Sequence, residues 1–316
     1  KKITSSWVIN MIKKVIICLF FVLLFLLTSC NSNHFNELPN DNDQQEEERE
    51  EEKITITLKN DEKVIESIFI LPNQTIELPI LEKEGYSFIG WYLDINNEDS
   101  RLSFKVSFSE DTTIYCKWEQ YTKGLIFELI EEEYFVIGYE GTSKEISIPK
   151  YYQGYLVTHI GKQAFLRNEN ITVVHLPDSI ISIEEEAFKD CYNLKTINFP
   201  NSIISIKTSG FQNCQNLSIS EIDAINIYES AFEQCKGLVK ITLSNRVKTI
   251  GKWAFYANNN INEVIIYESV DLIEDHAFSW CQNVKFLTPV HNIDKLKQLL
   301  EKCDLIYFQY TIEEIN

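Results

Sequence analysis

The eight cysteines carry most of the chemical potential in this 316-residue chain. A thiol can serve as a nucleophile, a metal ligand or half of a disulfide, and its surroundings decide which. Cys30 stands apart, directly behind Leu27-Thr28-Ser29 at the end of an apolar run. Cys191, Cys214, Cys235 and Cys281 each follow a phenylalanine by three residues, and Asn168 and Asn258 fill the same column in two further units. A position that accepts Cys or Asn needs a small side chain in reach of backbone polar groups, which describes a buried structural ladder. Disulfides between stacked units suit an exported protein, but a regular column does not require them. Zinc is disfavoured: there is no C-x-x-C, and intervals of 21 to 46 residues do not gather a tight ligand set. His34, His159, His175, His276 and His291 are scattered, and G-x-S-x-G, phosphate-loop and H-E-x-x-H patterns are missing. The sequence therefore assigns no catalytic residue, no metal and no cofactor, and the expectation is a non-enzyme.

The elements that must position these residues are those of an ordinary globular protein, with 44% hydrophobic and 24% charged residues. The formal charge of −18 argues against nucleic acid as a partner, because phosphate binding needs a basic face. It also repels anionic membranes, so any membrane attachment must come from something other than surface charge.

Such an attachment is written at the start of the chain. Met11-Ile12-Lys13-Lys14 is a short basic stretch, Val15 to Leu27 is apolar, and small residues precede Cys30. That is the layout of a secretory signal, and the run is shorter than the ~20 residues of a membrane-spanning helix. Residues 1–10 read as an extended translation start. The Leu-Thr-Ser-Cys ending resembles the lipobox of bacterial lipoproteins. The resemblance implies that Cys30 is acylated and becomes the first mature residue, tethering the chain to the outer face of the cytoplasmic membrane or another extracytoplasmic envelope surface. Loss of residues 1–29 removes four lysines and no acid, taking the charge from −18 to −22. The next stretch, Asn31 to Lys53, is polar and includes Glu46-Glu47-Glu48-Arg49-Glu50-Glu51-Glu52. It is self-repelling and unable to bury a core, so it reads as a tether reaching roughly 75 Å when stretched.

Short strand-like segments follow. Ile54-Thr55-Ile56-Thr57-Leu58 alternates at period two, Gly85-Tyr86-Ser87-Phe88-Ile89-Gly90-Trp91-Tyr92 sets aromatics between glycines, and Tyr115-Cys116-Lys117-Trp118 closes the stretch. These segments resemble the internalin B-type (Listeria–Bacteroides) repeat, with Asn60-Asp61 at the turn where a glycine pair is usual. The resemblance implies a small β-grasp-like module found in surface proteins. Its aromatics are expected to be core and turn residues, because so small a domain needs large side chains to make a core.

The clearest signal is a period. Phe165, Phe188, Phe211, Phe232, Phe255 and Phe278 recur at intervals of 23, 23, 21, 23 and 23. An Ile stands five residues before each, from Ile160 to Ile273, and Ile, Leu or Val six residues after. Each unit is expected to form one coil of a solenoid, with Leu194, Ile197 and Phe199 inward and Thr196 and Asn198 outward. Six coils at the ~4.8 Å strand spacing give a stack about 29 Å long. Each buried Phe is worth roughly 1.5–3 kcal/mol. The units resemble BspA-like leucine-rich repeats, close to L-x-x-I-x-I-P-x-S-V-x-x-I-x-x-x-A-F-x-x-C. The unit after Leu217 is two residues short, and a local irregularity is expected there.

The whole chain then reads as mainly β: a small β-grasp-like domain followed by a leucine-rich-repeat solenoid with short helical or irregular convex segments. The expected boundaries are a signal segment over 1–29, a tether over 30–53, the internalin B-type domain over 54–120, an entry cap over 121–158 with an edge hairpin from Gly124 to Gly138, repeats over 159–289, and an exit cap over 290–316 whose helix starts with Asn292 as N-cap. The outward strand positions offered to a ligand are Val173, His175, Thr196, Asn198, Lys240, Thr242, Glu263, Ile265 and Phe286. Family resemblance implies protein binding or adhesion. The alternatives are a structural envelope protein that binds the cell's own surface components, or a docking subunit for an enzyme.

Overall fold

The computed structural model describes residues 52–301 and 310–315. The signal segment, Cys30, nearly all of the tether and Cys303 lie outside the described residues.

Six strands open the fold: β1 (Ile54–Asn60), β2 (Lys63–Ile70), β3 (Thr75–Glu77), β4 (Tyr86–Tyr92), β5 (Lys105–Ser107) and β6 (Thr112–Gln120). Four of them form a mixed sheet in the order β2-β1-β6-β4, with β3 and β5 as a separate ribbon. β1 and β6 are parallel neighbours at its centre and the flanking pairs are antiparallel, a β-grasp-like arrangement. The alternation of β1 sends Ile56 and Leu58 into the core with Phe88, Trp91 and Ile114. Gly90 sits at a break in the β4–β6 register with φ of 151°. A Cβ there would lie 2.9 Å from Arg101 Nε. Its absence lets the Arg101 guanidinium reach the Ile89 carbonyl at 2.8 Å. At the Asn60-Asp61 turn Asp61 takes φ of 52°, and Asn60 accepts a hydrogen bond from Trp118 Nε1.

The next segment is β7 (Leu125–Ile130), β8 (Glu133–Tyr139), β9 (Glu145–Ser147), β10 (Tyr151–Tyr152) and β11 (Tyr155–Ile160). β7 and β8 form an antiparallel hairpin whose inner strand pairs in parallel with β11. The β10–β11 turn plugs into the first domain. Gly154 N–H donates to the Phe88 carbonyl at 2.8 Å, Lys150 N–H to Glu119 at 2.8 Å and Ser87 to the Tyr151 carbonyl at 2.5 Å. Arg101 also donates to the Gly154 carbonyl and lies over the Tyr151 ring.

Each coil of the solenoid then contributes two short strands: β12 (Val173–His175) and β13 (Ser182–Ile183), β14 (Thr196–Ile197) and β15 (Ser205–Ile206), β16 (Glu221–Ile222) and β17 (Asn226–Ile227), β18 (Lys240–Leu243) and β19 (Thr249–Ile250), β20 (Glu263–Ile265) and β21 (Leu272–Ile273). The last coil adds β22 (Val284–Thr288). Strands of equal rank pair in parallel from coil to coil, with the exception of β14 and β16. A helix, α1 (Ile293–Glu301), covers the far end with Leu296 and Leu300 buried, and β23 (Tyr310–Glu314) extends the β22 ladder. Asn292 is buried in the 3-10 turn before α1 and its amide donates to Thr288 Oγ1, while its side-chain oxygen has no partner, so it does not act as the expected N-cap.

The six repeat phenylalanines stack face over face, with centroids 4.9–5.4 Å apart and interplanar angles of 3–7°. Around each Phe the backbone runs through consecutive tight turns. In the second coil Ala187, Lys189 and Cys191 N–H groups close turns within the coil, while Glu186, Phe188 and Asp190 donate to Thr208, Gly210 and Gln212 of the next. Alternate amides thus serve the two directions and no backbone donor in this stretch is wasted. The geometry requires left-handed residues two before and two after each Phe, from Gln163 and Arg167 (φ of 59° and 56°) to His276 and Trp280 (60° and 64°), and none is glycine.

That demand is open to test at the half-buried Gln234, whose φ is 57°. A β-branched side chain is strained there and glycine is not, a difference on the order of 1–2 kcal/mol per residue. Gln234→Val is expected to lower the urea unfolding midpoint and Gln234→Gly to hold or raise it. Equal effects would remove the conformational argument.

Candidate functional site

The faces of the solenoid differ in what they leave free. One carries the longer strands, β9, β12, β14, β16, β18, β20 and β22. Inward residues Val174, Ile197, Ile222, Ile241 and Val264 fill the core, and their neighbours point out. His175, Thr196, Asn198 and Lys240 are exposed there, and Val173, Thr242, Glu263 and Ile265 are half-buried between their neighbours. The His175 imidazole lies 2.8 Å from the Glu145 carboxylate of the adjacent coil, and opposite charges meet in Lys240 with Glu263 and Lys285 with Glu313 at 2.5 Å. The last contact holds the Lys285 ammonium above its ordinary range. Such solvent-screened pairs add little to stability, so they pattern the face more than they stabilise it.

Two of the expected outward positions have other roles. Phe286 is fully buried, edge-on to Phe278. In its coil the inward Phe286 follows Val284 by two positions, where the matching residue of other coils follows by three, so Glu263 pairs with Lys285 and Ile265 with Leu287. The outward residues of β22 are Lys285 and Leu287. Asn198 is exposed, but its amide both donates to the Leu176 carbonyl (2.8 Å) and accepts from the Leu176 N–H (2.7 Å), replacing a strand bond to the preceding coil.

The strand ladder of this face is interrupted between β14 and β16, which belong to separate sheets. Ser218 N–H still donates to the Lys195 carbonyl. Regular alternation from there would send Ile219 out and Ser220 in. The opposite happens: Ile219 packs against the core and Ser220 is exposed. A one-residue slip exchanges the faces of a strand, and pairing with β14 is lost. The gap opens a cleft of about 370 Å³ between Thr196, Asn198, Ser220 and Glu221. The missing two residues fall just beyond, where Asp223-Ala224 stand in place of Pro200 to Ile203. Arg246 spans the shortened coil, donating to Asp223 at 3.0 Å and to the Ile203 carbonyl of the coil before at 3.3 Å.

A family model described as the BspA type leucine rich repeat region matches residues 158–285 and 221–315, in six copies. The chain belongs to the BspA-type leucine-rich-repeat family. Solved structures similar to it include a leucine-rich-repeat protein of T. pallidum (21% identity over 60% of this chain and 96% of that one, TM-score 0.46). A leucine-rich cell surface protein of Faecalibacterium prausnitzii is 23% identical, covering 61% of this chain and 53% of the other, at a TM-score of 0.47. The pneumococcal vaccine antigen PcpA is 17% identical over 61% and 47% of the two chains, at 0.45. None of the curated proteins matches the chain.

Inside the BspA-type coils the cysteine column is a hydrogen-bond ladder. Cys191, Cys214, Cys235 and Cys281 donate from Sγ to the carbonyls of Phe165, Phe188, Phe211 and Phe255 at 2.9–3.1 Å. Asn258 reaches the Phe232 carbonyl at 2.8 Å in the same way. Asn168, in the first coil, instead accepts from the Asn170 and Ile171 N–H groups. All four column thiols are free and buried. A second ladder runs beside it. Asn193, Asn216 and Asn260, five residues after their phenylalanines, donate to the Glu169, Tyr192 and Lys236 carbonyls. The recurring Asn in that column was the available signal. Gly237 replaces it in the fourth coil, where a Cβ would lie 2.6 Å from the Leu217 carbonyl oxygen of the short coil. The opposite face was also unmarked in the sequence: Ser182 and Ser205 hydrogen-bond at 2.9 Å between partly or fully exposed Ile181 and Ile204 and the Glu184 and Lys207 side chains.

Burial pushes the Cys191 and Cys281 thiols from 9.0 up to about 12, and raises Cys214 and Cys235 in the same direction. A thiol raised in the folded state favours folding while protonated. That contribution is complete below pH 9.0 and lost as pH rises toward about 12. Denaturation midpoints are expected to fall across this window, less steeply in Cys191→Ala, and the column thiols to resist iodoacetamide in the native protein. At the short coil, Arg246→Ala is expected to cost about 1.5–3 kcal/mol by removing charged hydrogen bonds, and Arg246→Lys to recover only part because one ammonium cannot fork to both partners. Thermal unfolding of the three proteins decides this.

Proposed function

We propose that the protein is a lipid-anchored, extracytoplasmic binding protein with no catalytic activity of its own, and that the β12–β22 face receives a protein ligand. The observation that carries this is the division of labour within each coil. The core side holds Phe, Ile and Cys columns that admit little change, while the outward strand positions touch no core and vary from coil to coil in charge and size. A surface of that kind is built for recognition, and its interruption at Ser220 adds a concavity that a protruding side chain can enter. Among the described residues no cluster of His, Cys, Asp or Glu is placed to hold a metal ion. The export-type segment, the Leu-Thr-Ser-Cys ending and the acidic tether support an address outside the cytoplasm. The G-W-Y and Y-x-K-W segments support an internalin B-type module over 54–120, ahead of a cap over 121–158, repeats over 159–289 and an exit cap over 290–316.

Two measurements test this. Intact mass of the membrane-extracted protein is expected to give a chain beginning at Cys30 with added acyl mass, and an unlipidated Cys30→Ala variant. A chain beginning at Met11 or Lys1 without modification would remove the envelope address. In a pull-down of proteins from outside the cell, the Thr196→Arg/Lys240→Glu double variant is expected to lose captured partners while keeping its unfolding temperature. Partners retained by the variant would move the binding surface elsewhere on the chain.

A further inference from the structure

A broad concavity lies where the β-grasp-like domain meets the solenoid cap. It consists of two adjoining hollows of about 790 and 600 Å³. They share the rings of Tyr86 and Tyr121 and the Glu84–Lys123 ion pair, 2.7 Å long. Small-molecule sites typically measure about 300–1,000 Å³ and favour domain junctions. This junction is pinned from both sides by the Gly154–Phe88, Lys150–Glu119 and Ser87–Tyr151 hydrogen bonds, so its walls are set before any ligand arrives.

The chemistry of the walls narrows the ligand. Apart from the two tyrosines and the ion pair, the larger hollow is lined only by glycine, threonine and serine residues and Gln120, with no aliphatic side chain. In the larger hollow a lipid or apolar peptide would find only the tyrosine rings to bury against; the smaller one also carries half-buried Leu81 and Tyr152 and the buried Phe88 on its wall. The smaller hollow adds Glu82 and Lys83, so acids and bases are equal in number there, in a chain of charge −18. An anion would meet Glu82 and Glu84, and a cation Lys83 and Lys123. The Lys83 ammonium lies 4.0 Å from the Tyr86 ring centroid, which steadies a ring that remains 37% exposed. The exposed Tyr86 ring and the half-buried Tyr121 ring, beside neutral hydroxyls and an amide, suit a ligand with apolar C–H faces and many hydroxyls that both donate and accept.

We infer that this junction cleft is a binding site for a neutral oligosaccharide. It uses different residues from the β12–β22 face and stands whether or not that face binds a protein.

The test titrates the purified full chain by calorimetry with chitotriose, cellotriose, maltotriose and mannotriose, at low and high salt. At least one trisaccharide is expected to bind saturably, with affinity unchanged by salt. Tyr86→Ala is expected to weaken it about tenfold or more, Thr142→Ala by a smaller factor, and Tyr86→Phe hardly at all, because the ring makes the contact. Thermal unfolding checks that each variant is folded; should Tyr86→Ala fail to fold, Thr142→Ala decides. Absence of binding by all four sugars, binding that survives the deciding variant, loss of affinity with salt, or displacement of the sugar by a peptide digest would each overturn the inference.

Discussion

One constraint governs the structure: a coil of this chain has no stable existence alone, because everything that satisfies it lies in the coil above or below. The stacked phenylalanines provide burial, but rings at 4.9–5.4 Å set only a distance. Register comes from polar groups. Alternate amides around each Phe, the short strands on two faces, and the Cys and Asn side chains all bond across the same gap. A slip of one residue breaks every ladder at once, which is why a short periodic sequence specifies one alignment.

The same constraint explains what could be read from the sequence. Columns that face the core repeat because each coil offers the next the same surface, so the Phe, Ile and Cys columns disclose the solenoid through its six phenylalanine repeats, while the ladders run on beyond them through β8, β9 and β23, which carry no such column. Positions where neighbouring coils differ are harder. Phe286 falls on the outward side when the spacing of the other coils is applied from Val284, and the shortening by one residue in that coil shows only in the pairing of Lys285 with Glu263. Asn198 was placed on the right side of its strand, yet nothing in its identity revealed that its amide would stand in for backbone. The irregularity after Leu217 was visible as a missing pair of residues. Its consequence, the inversion of Ile219 and Ser220, depends on a competition between alternation and burial that only the packed structure resolves. The junction cleft was invisible, because its walls come from segments far apart in the chain and its polar residues have no period.

The two domains make different use of aromatic residues. In the solenoid one stacked aromatic column runs along the core, with Phe199 and Phe286 edge-on to it. In the β-grasp-like domain Phe88, Trp91 and Trp118 cluster edge to face around a sheet too small to exclude water with aliphatic side chains alone. Gly90 and Gly154 are where these systems meet, each leaving room for a side chain of the first domain, Arg101 or Phe104, to pass.

The short third coil also bears on how such an array can lengthen or shrink over evolutionary time. Coils of equal length and matching columns can be duplicated or deleted as single units, since each presents its successor with the surface it received. The third coil cannot be treated so. Arg246 of the fourth coil reaches through it to the second, and Gly237 is fitted to its displaced carbonyl. Either coil set beside a standard neighbour would leave a half-buried guanidinium short of partners or a gap where an asparagine should bond. The third and fourth coils therefore form a single heritable cassette, and recombination between repeats is tolerated on either side of it but not at its internal seam.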